Sequence, residues 1–350
     1  MKIAVALSGG IDSSVAVYLL KKQGHDVFAI TMNHIPDNLG FDFFYHLDDA
    51  KKIADFFNIK HYIINIKNTF QNEIIDNFTQ SYLNGKTPNP CALCNKKIKF
   101  GLLLEKAIEY GADKIATGHY SDIFFSNGKY FIKKAKYIKK DQSYFLSLLN
   151  QEQLSKIIFP LSNLTKPEVR EIANKNNIPS KEKKESQEIC FIKEDYKDFL
   201  YKYYNIKDQK GDILNIDGKK IGEHSGFWKF TVGQRRGIGV SANYPLYVIK
   251  VNPSKNTIVV GPREYLFKKK IYFENPVTQI KIDDLLNKEL DFKIRYNSPP
   301  QKGILKKENN KYYVELLEPA YAITDGQLLT GYHNDIVVFG SIINNTINPL

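Results

Sequence analysis

The sequence predicts an α/β N-terminal domain with a doubly wound parallel sheet, followed by a small central domain and a C-terminal β-barrel-like domain. Three observations carry this. Strand-like and helix-like segments alternate from Met1 to about Ala116, which implies parallel strands joined by crossover helices. After about Tyr204 hairpin chemistry replaces helical spacing. From about Lys270 the apolar residues alternate almost continuously over short runs bounded by turn residues. The expected domains are residues 1–204, 205–269 and 270–350, within the two or three that a chain of 350 residues suggests.

The elements follow in order. KIAVAL reads as a strand and SVAVYLLKKQG as a helix closed by Gly24. DVFAITM is a strand, LDDAKKIADFFNI a helix and HYIINI a strand. NKKIKFGLLLEKAIEYG is a helix stopped by Gly111, and DKIATGHY a strand running into a loop. SYFLSLLNQEQLSKIIFPL reads as helical. TKPEVREIANKNN reads as a helix with Thr165 as N-cap and Pro167 in its first turn. GDILNIDGKKIGEH turns at Asp217-Gly218, and YPLYVIKVNPSKNTIVVG continues as alternating strands. Ligands of a doubly wound sheet bind beyond the carboxyl ends of its strands.

The bulk numbers narrow the class. An apolar share of 43% suffices for folded cores, and no run of about 18 apolar residues suggests a membrane span. The N-terminus enters a strand without a signal-peptide layout, so the expected location is the cytoplasm. A net charge of +12 favours a polyanionic partner but does not separate RNA from DNA or a membrane surface. Three cysteines, Cys91, Cys94 and Cys190, argue against a secreted disulfide scaffold, and all lie in polar, motif-like contexts.

The motifs carry the chemistry. In LSGGIDSS, glycines between a strand and a helix let backbone approach a phosphate. The N–H groups of the first helical turn then face the anion, and serine hydroxyls add donors. Asp12 suits a Mg²⁺ ion bound to that phosphate. A Walker A loop is excluded, because the loop has no lysine in the required order. TPNPCALCNKKIKF places a C-x-x-C at a helix start beside Lys96 and Lys97, an arrangement expected to lower a thiol pKa. A redox pair, half of a metal site and a catalytic thiol all fit it. ATGHYSD ends a strand with Gly118 and His119, and KKDQSYFL sets charged and amide groups before a helix. ESQEICFI carries Cys190, and GFWKFTVGQRRGIGV offers a basic tight loop beside aromatic rings, which suits an RNA backbone.

SGGIDSS resembles the loop of PP-loop ATP pyrophosphatases, which adenylate a substrate and release pyrophosphate. The ordered set of motifs, including RY at Arg295 and DGQ ending at Gln327, resembles the bacterial tRNA-specific 2-thiouridylase family over nearly the whole chain. That resemblance implies ATP-dependent sulfur transfer to C2 of a wobble uridine in tRNA, with a persulfide as sulfur carrier. It implies ATP contacts at Ala6, Leu7, Ser8, Gly9, Gly10, Ile11, Asp12 and Ser13, and at Met32 and Gly118. Cys94 matches the nucleophile and Cys190 the persulfide-bearing cysteine. Asn89, Pro90 and Cys91 match the stretch facing the target base. His119, Lys140, Asp141, Gln142, Arg295, Tyr296 and Gln327 match tRNA contacts, as do the central and C-terminal domains. The implied cofactors are ATP and Mg²⁺, and the implied partners are tRNA and a cysteine desulfurase or sulfur-relay protein.

One position departs from the family: many members carry aspartate where this chain has Cys91. Three cysteines could instead hold a [4Fe–4S] cluster with one open iron, the alternative route for the same thiolation. A small-molecule PP-loop ligase and a non-catalytic RNA-binding protein are the remaining rivals.

Overall fold

The computed structural model describes residues 1–39, 44–180, 189–309 and 311–345. The first four residues of ESQEICFI therefore lie outside the described residues. The N-terminal sheet has five parallel strands in the order His61–Asn65, Asp26–Asn33, Lys2–Ala6, Lys114–Ala116, Ile157–Ile158. From Lys2–Ala6 the chain builds outward on one side, then returns to add Lys114–Ala116 on the other. This reversal opens a crevice at the carboxyl end of the first strand.

Both faces of the sheet are buried, as parallel strands require. Ile3 and Val5 point into a core with Val15, Leu20 and Val169, under the helices Ile11–Lys22 and Lys166–Lys175. Ala4 points the other way, into a core with Phe28, Ile30, Phe100 and Ile115.

Most predicted elements form. The helix Lys166–Lys175 begins at Thr165 in a capping box with Glu168, as its sequence suggests. One segment differs: SYFLSLLNQEQLSKIIFPL is not a single helix. Asn150 starts a new capping box, splitting it into Ser143–Leu146 and Gln151–Ser155, and Ile157–Ile158 becomes the edge strand beside Ile115. An Asn whose side chain caps backbone competes with helix continuation, and β-branched isoleucines suit the pleated edge.

The central unit is a four-stranded sheet ordered Tyr247–Asn252, Thr257–Gly261, Gly211–Leu214, Lys220–His224. Its Asp217-Gly218 turn is tied by the Asn215 side chain, which accepts from the backbone of Asp217 and Lys219. The C-terminal barrel is a six-stranded antiparallel sheet, closed where Phe267–Thr278 pairs with Ile336–Ile343.

A hairpin of the N-terminal half, Asp122–Ser126 with Lys129–Lys133, joins the barrel's sheet: Lys133 pairs with Ile336 and Ile132 with Val337. Sequence periodicity gave no sign of this shared edge. Among the described residues no helix is long and apolar enough to cross a membrane.

Candidate nucleotide and thiol site

The site starts at the end of the first strand. Leu7 N–H donates to Ile30 and the Leu7 carbonyl accepts from Thr31 Oγ1 at 2.7 Å, so Ala6 and Leu7 are pinned to the neighbouring strand. Gly9 then turns with φ +71°, a conformation that disfavours any Cβ. A Cβ there would also stand 2.7 Å from that of Asp49. Gly10 is the helix N-cap and offers no side-chain acceptor to the first turn of Ile11–Lys22. The first-turn donors thus remain available to an anion. Ser8 and Ser13 hydroxyls lie 3.2 Å apart, and Ser13 and Ser14 donate back to the Gly10 carbonyl.

Gly118, beyond the strand Lys114–Ala116, lies against this turn. A Cβ on it would be 2.7 Å from backbone atoms of Asp12 and Ser13. The two loops are therefore packed at a spacing only glycine permits, and a cradle of bare backbone results. This cradle fits the triphosphate of ATP. Met32 lies at the far end of its strand, where its carbonyl accepts from His34 Nδ1 and His46 Nε2 at 3.3 and 3.4 Å. Burial pushes His34 down to about 4, so its ring is neutral near pH 7.

Asp12 is not a bare carboxylate. Lys166 Nζ donates to its two oxygens at 2.7 and 2.8 Å, and Tyr120 Oη donates to Oδ1 at 2.8 Å. Tyr120 is itself held by Gln142, whose backbone and side chain exchange hydrogen bonds with the Tyr120 backbone.

The cysteine loop leads into a short helix, Pro90–Cys94. Asn89 caps it, its Oδ1 accepting from Ala92 N–H, and Pro90 fills the first position. Wide π-type turns follow over Asn95–Leu102, a distortion common near functional sites. Cys91 and Cys190 keep accessible surface and Cys94 is partly buried; all three thiols are free. Cys94 and Ile189 pack against the same large apolar core that contains Phe191, so the residues flanking Cys190 and the second cysteine share one core. The three thiols lie within electrostatic reach of one another. The structure thus brings the two distant cysteine motifs together.

The expected low thiol pKa is not found. Burial pushes Cys94 up to about 11 and Cys190 to about 12, and raises Cys91 as well. Cys94 lies past the first turn of a helical run that continues through Asn95–Leu102, so it gains little from the helix N-terminus, and desolvation wins. The opposing cation is Lys99, not the expected Lys96 or Lys97. It lowers all three thiols and reaches His119, while Lys97 pairs with Glu73.

The other matched positions line the joint between cradle and barrel. His119 is buried, its Nδ1 2.7 Å from Thr117 Oγ1, and burial holds it well below the usual range. Lys140 ends a short turn before Asp141. Asp141 is buried, accepting from Ala135 N–H and from the Ser143 hydroxyl at 2.7 Å. Arg295 donates to the Ala322 carbonyl, the Tyr296 ring lies 4.6 Å from that of Phe145, and Gln327 donates to the carbonyls of Thr87 and Pro88.

A [4Fe–4S] cluster would need three thiolates gathered around one point. Among the described residues no group of three or more His, Cys, Asp or Glu is gathered closely enough to hold a metal ion. The cysteines as arranged do not fit such a cluster.

Reasoning from sequence missed Lys99, Lys166 and Tyr120. Lys166 carried a weak signal: a cation at the first position of a helix opposes the macrodipole, and so calls for a tertiary reason.

A glycine–serine loop at the switch point of a parallel sheet, with no lysine of its own, defines a PP-loop ATP-using enzyme. Residues 1–194 match the model described as tRNA methyl transferase HUP domain. Residues 197–262 match the tRNA methyl transferase PRC-barrel domain, and 268–343 the aminomethyltransferase beta-barrel domain. The tRNA-specific 2-thiouridylase MnmA of Halothermothrix orenii is 41% identical over 353 residues, 98% of each chain. That of Treponema denticola is 39% identical over 361 residues, 99% of this chain and 98% of the other. The chain belongs to the tRNA-specific 2-thiouridylase family.

A solved structure, the U34-tRNA thiolase NcsA from Methanococcus maripaludis with its [4Fe-4S] cluster, is 23% identical with TM-score 0.37. It covers 58% of this chain and 67% of the other, a likeness too loose to bear on the cysteines here.

Proposed function

We propose that this protein is a cytoplasmic tRNA-uridine 2-sulfurtransferase that converts the wobble uridine of tRNA to 2-thiouridine with ATP. The observation that supports this reading is the approach of Cys94 and Cys190, remote in sequence, to within electrostatic reach of each other. The glycine cradle at the head of the parallel sheet supplies the nucleotide half of the chemistry.

The reaction follows from what uracil lacks. Its C2 carbonyl is a poor electrophile and its oxygen a poor leaving group. Attack of the C2 oxygen on the α-phosphorus of ATP expels pyrophosphate into the cradle of Ser8–Ser13 and makes the oxygen part of AMP. The terminal sulfur of a Cys190 persulfide then attacks C2, and AMP leaves with the oxygen. The Cys94 thiolate attacks the Cys190 sulfur, leaving sulfur on C2 and a Cys94–Cys190 disulfide. A dithiol reductant resets the pair, and a cysteine desulfurase or sulfur-relay protein restores the persulfide.

Bound with the nucleotide, Mg²⁺ would supply charge neutralisation for the pyrophosphate, and Asp12, whose carboxylate already accepts from Lys166 and Tyr120, is the residue that would hold it. The target base must leave the anticodon stack, which a single-stranded loop makes inexpensive. Asn89, Pro90 and Cys91 are assigned to the base. His119, Lys140, Asp141, Gln142, Arg295, Tyr296 and Gln327 are assigned to tRNA binding and to the joint beneath it.

The test is 2-thiouridine formation on unmodified tRNA with ATP and a sulfur donor. Cys190→Ser and Cys94→Ser should abolish it. An active Cys190→Ser variant would rule out the persulfide assignment.

A further inference from the structure

The wide turns after Cys94 place a side chain where an α-helix would not. With α-helical winding, a residue five places on lies about 140° around the axis. With i→i+5 bonds, five residues make little more than one full turn. Asn95–Leu102 is wound in the second way, directly after Cys94, so Lys99 returns to the side of the helix that carries Cys94. Cys91, three places before Cys94 in Pro90–Cys94, shares that side.

This winding is held from outside the helix. Gln153 Nε2 donates to the carbonyls of Lys96 and Phe100, at 2.8 Å each. Gly101 leaves room for the Lys96 carbonyl oxygen, which a Cβ there would meet at 3.1 Å. Ile98 and Phe100, on either side of Lys99, are fully buried, and the Phe100 ring lies 5.8 Å from that of His119. Lys99 itself is half-buried.

Among the described residues Lys99 makes no hydrogen bond and no ion pair, whereas its neighbour Lys97 is paired with Glu73. Its charge acts on Cys91, Cys94, Cys190, His34 and His119. The remaining charges that act on the thiols, among the described residues, are those of the thiols themselves. Burial leaves both rings neutral and the three thiols protonated near pH 7. A half-buried ammonium without an ion pair is unfavourable for the fold. The anion it lacks is the one that sulfur transfer creates.

We propose that Lys99 is the counter-charge of the sulfur relay, offsetting in turn the negative charge on the Cys190 persulfide and on the Cys94 sulfur as each reacts. This rests on the reading of the two cysteines as a sulfur-transfer pair. Each sulfur gives its proton to water before it attacks; Lys99 keeps its own proton and forms no bond. Lys99 acts through the cysteines and is a positioning residue for their charge.

The experiment uses the full-length protein as wild type, Lys99→Met, Lys99→Arg and Lys97→Met, with thermal melting to confirm that each is folded. Iodoacetamide alkylation of each cysteine is followed against pH by peptide mass spectrometry, without tRNA or ATP. Single-turnover sulfur transfer from persulfide-loaded protein to unmodified tRNA is followed over the same series, and ATP binding by equilibrium dialysis. Lys99→Met should slow alkylation of Cys94 and Cys190 by about 3- to 10-fold near neutral pH and displace both profiles to higher pH, as loss of one nearby opposite charge does. Sulfur transfer should fall by at least as much, with ATP affinity little changed. Lys99→Arg should recover most of both losses, and Lys97→Met should match wild type. Unmoved alkylation profiles in Lys99→Met would overturn the proposal, as would an equal displacement in Lys97→Met. Lost ATP affinity with unmoved profiles would make Lys99 a phosphate ligand instead. If persulfide-loaded wild type transfers no sulfur, the sulfur-transfer reading itself fails and takes the proposal with it, a result distinct from an unmoved profile.

Discussion

Gln327 Nε2 donates to the Thr87 carbonyl at 3.0 Å, joining the C-terminal barrel to the loop that carries Cys91 and Cys94 across 240 residues. The same amide reaches the Pro88 carbonyl at 3.3 Å, and Thr87 N–H returns a bond to Asp325. The barrel therefore holds the cysteine loop by its entry.

Replacing Gln327 with leucine should free that loop. Loss of such bonds costs about 1 kcal/mol each in stability. Because Cys94 would be less well placed, the rate of thiolation should fall about tenfold or more while tRNA affinity falls less. Single-turnover rates and tRNA binding by filter retention separate the two. A loss confined to tRNA affinity would make Gln327 a tRNA contact only.

Gly9 and Gly118 should tolerate no side chain. Gly118→Ala places a methyl group 2.7 Å from the Asp12 and Ser13 backbone. Forcing those loops apart should cost about 1–3 kcal/mol and abolish detectable ATP binding. Denaturant midpoints and nucleotide binding are the measurements.

The thiols should react late in a pH series. With Cys94 pushed up to about 11 and Cys190 to about 12, alkylation by iodoacetamide should keep rising beyond pH 9. A plateau by pH 8.5 at Cys94 would contradict this. Stability moves oppositely. Below the ordinary thiol range, about 8.5, folded and unfolded chains both hold their protons. Above it the unfolded chain ionises first, so stability falls as pH climbs through the folded values of about 11 and 12. Substituting both cysteines by alanine should flatten that part of the profile.

Cys91 separates two-thiol from three-thiol chemistry. With sulfur passing between Cys190 and Cys94, Cys91→Ser should slow thiolation without abolishing it. Complete loss of product, accompanied by iron and sulfide in anaerobically purified wild type and their absence from the variant, would restore the cluster mechanism.

Much of the molecule is written locally. The alternation of KIAVAL, DVFAITM and HYIINI with helical segments identified a parallel sheet, because strand and helix periodicities depend only on near neighbours. The capping box at Thr165 and the turn at Asp217-Gly218 were legible for the same reason. The cradle was legible too, since a glycine at φ +71° is demanded by its own backbone. Harder to read was Asn150, whose side chain ends one helix and begins another inside an apolar run. The hairpin Asp122–Lys133 was missed because its partner strand lies some two hundred residues away.

The sequence by itself determined the layers of the fold, the phosphate cradle and the residues equipped for sulfur chemistry. Only the tertiary structure decided that Cys190 lies beside Cys94, that Lys166 completes Asp12, and that the thiols are raised rather than lowered. Those outcomes depend on desolvation and on charges brought from elsewhere in the chain, and burial is a property of the packed whole that no short segment encodes.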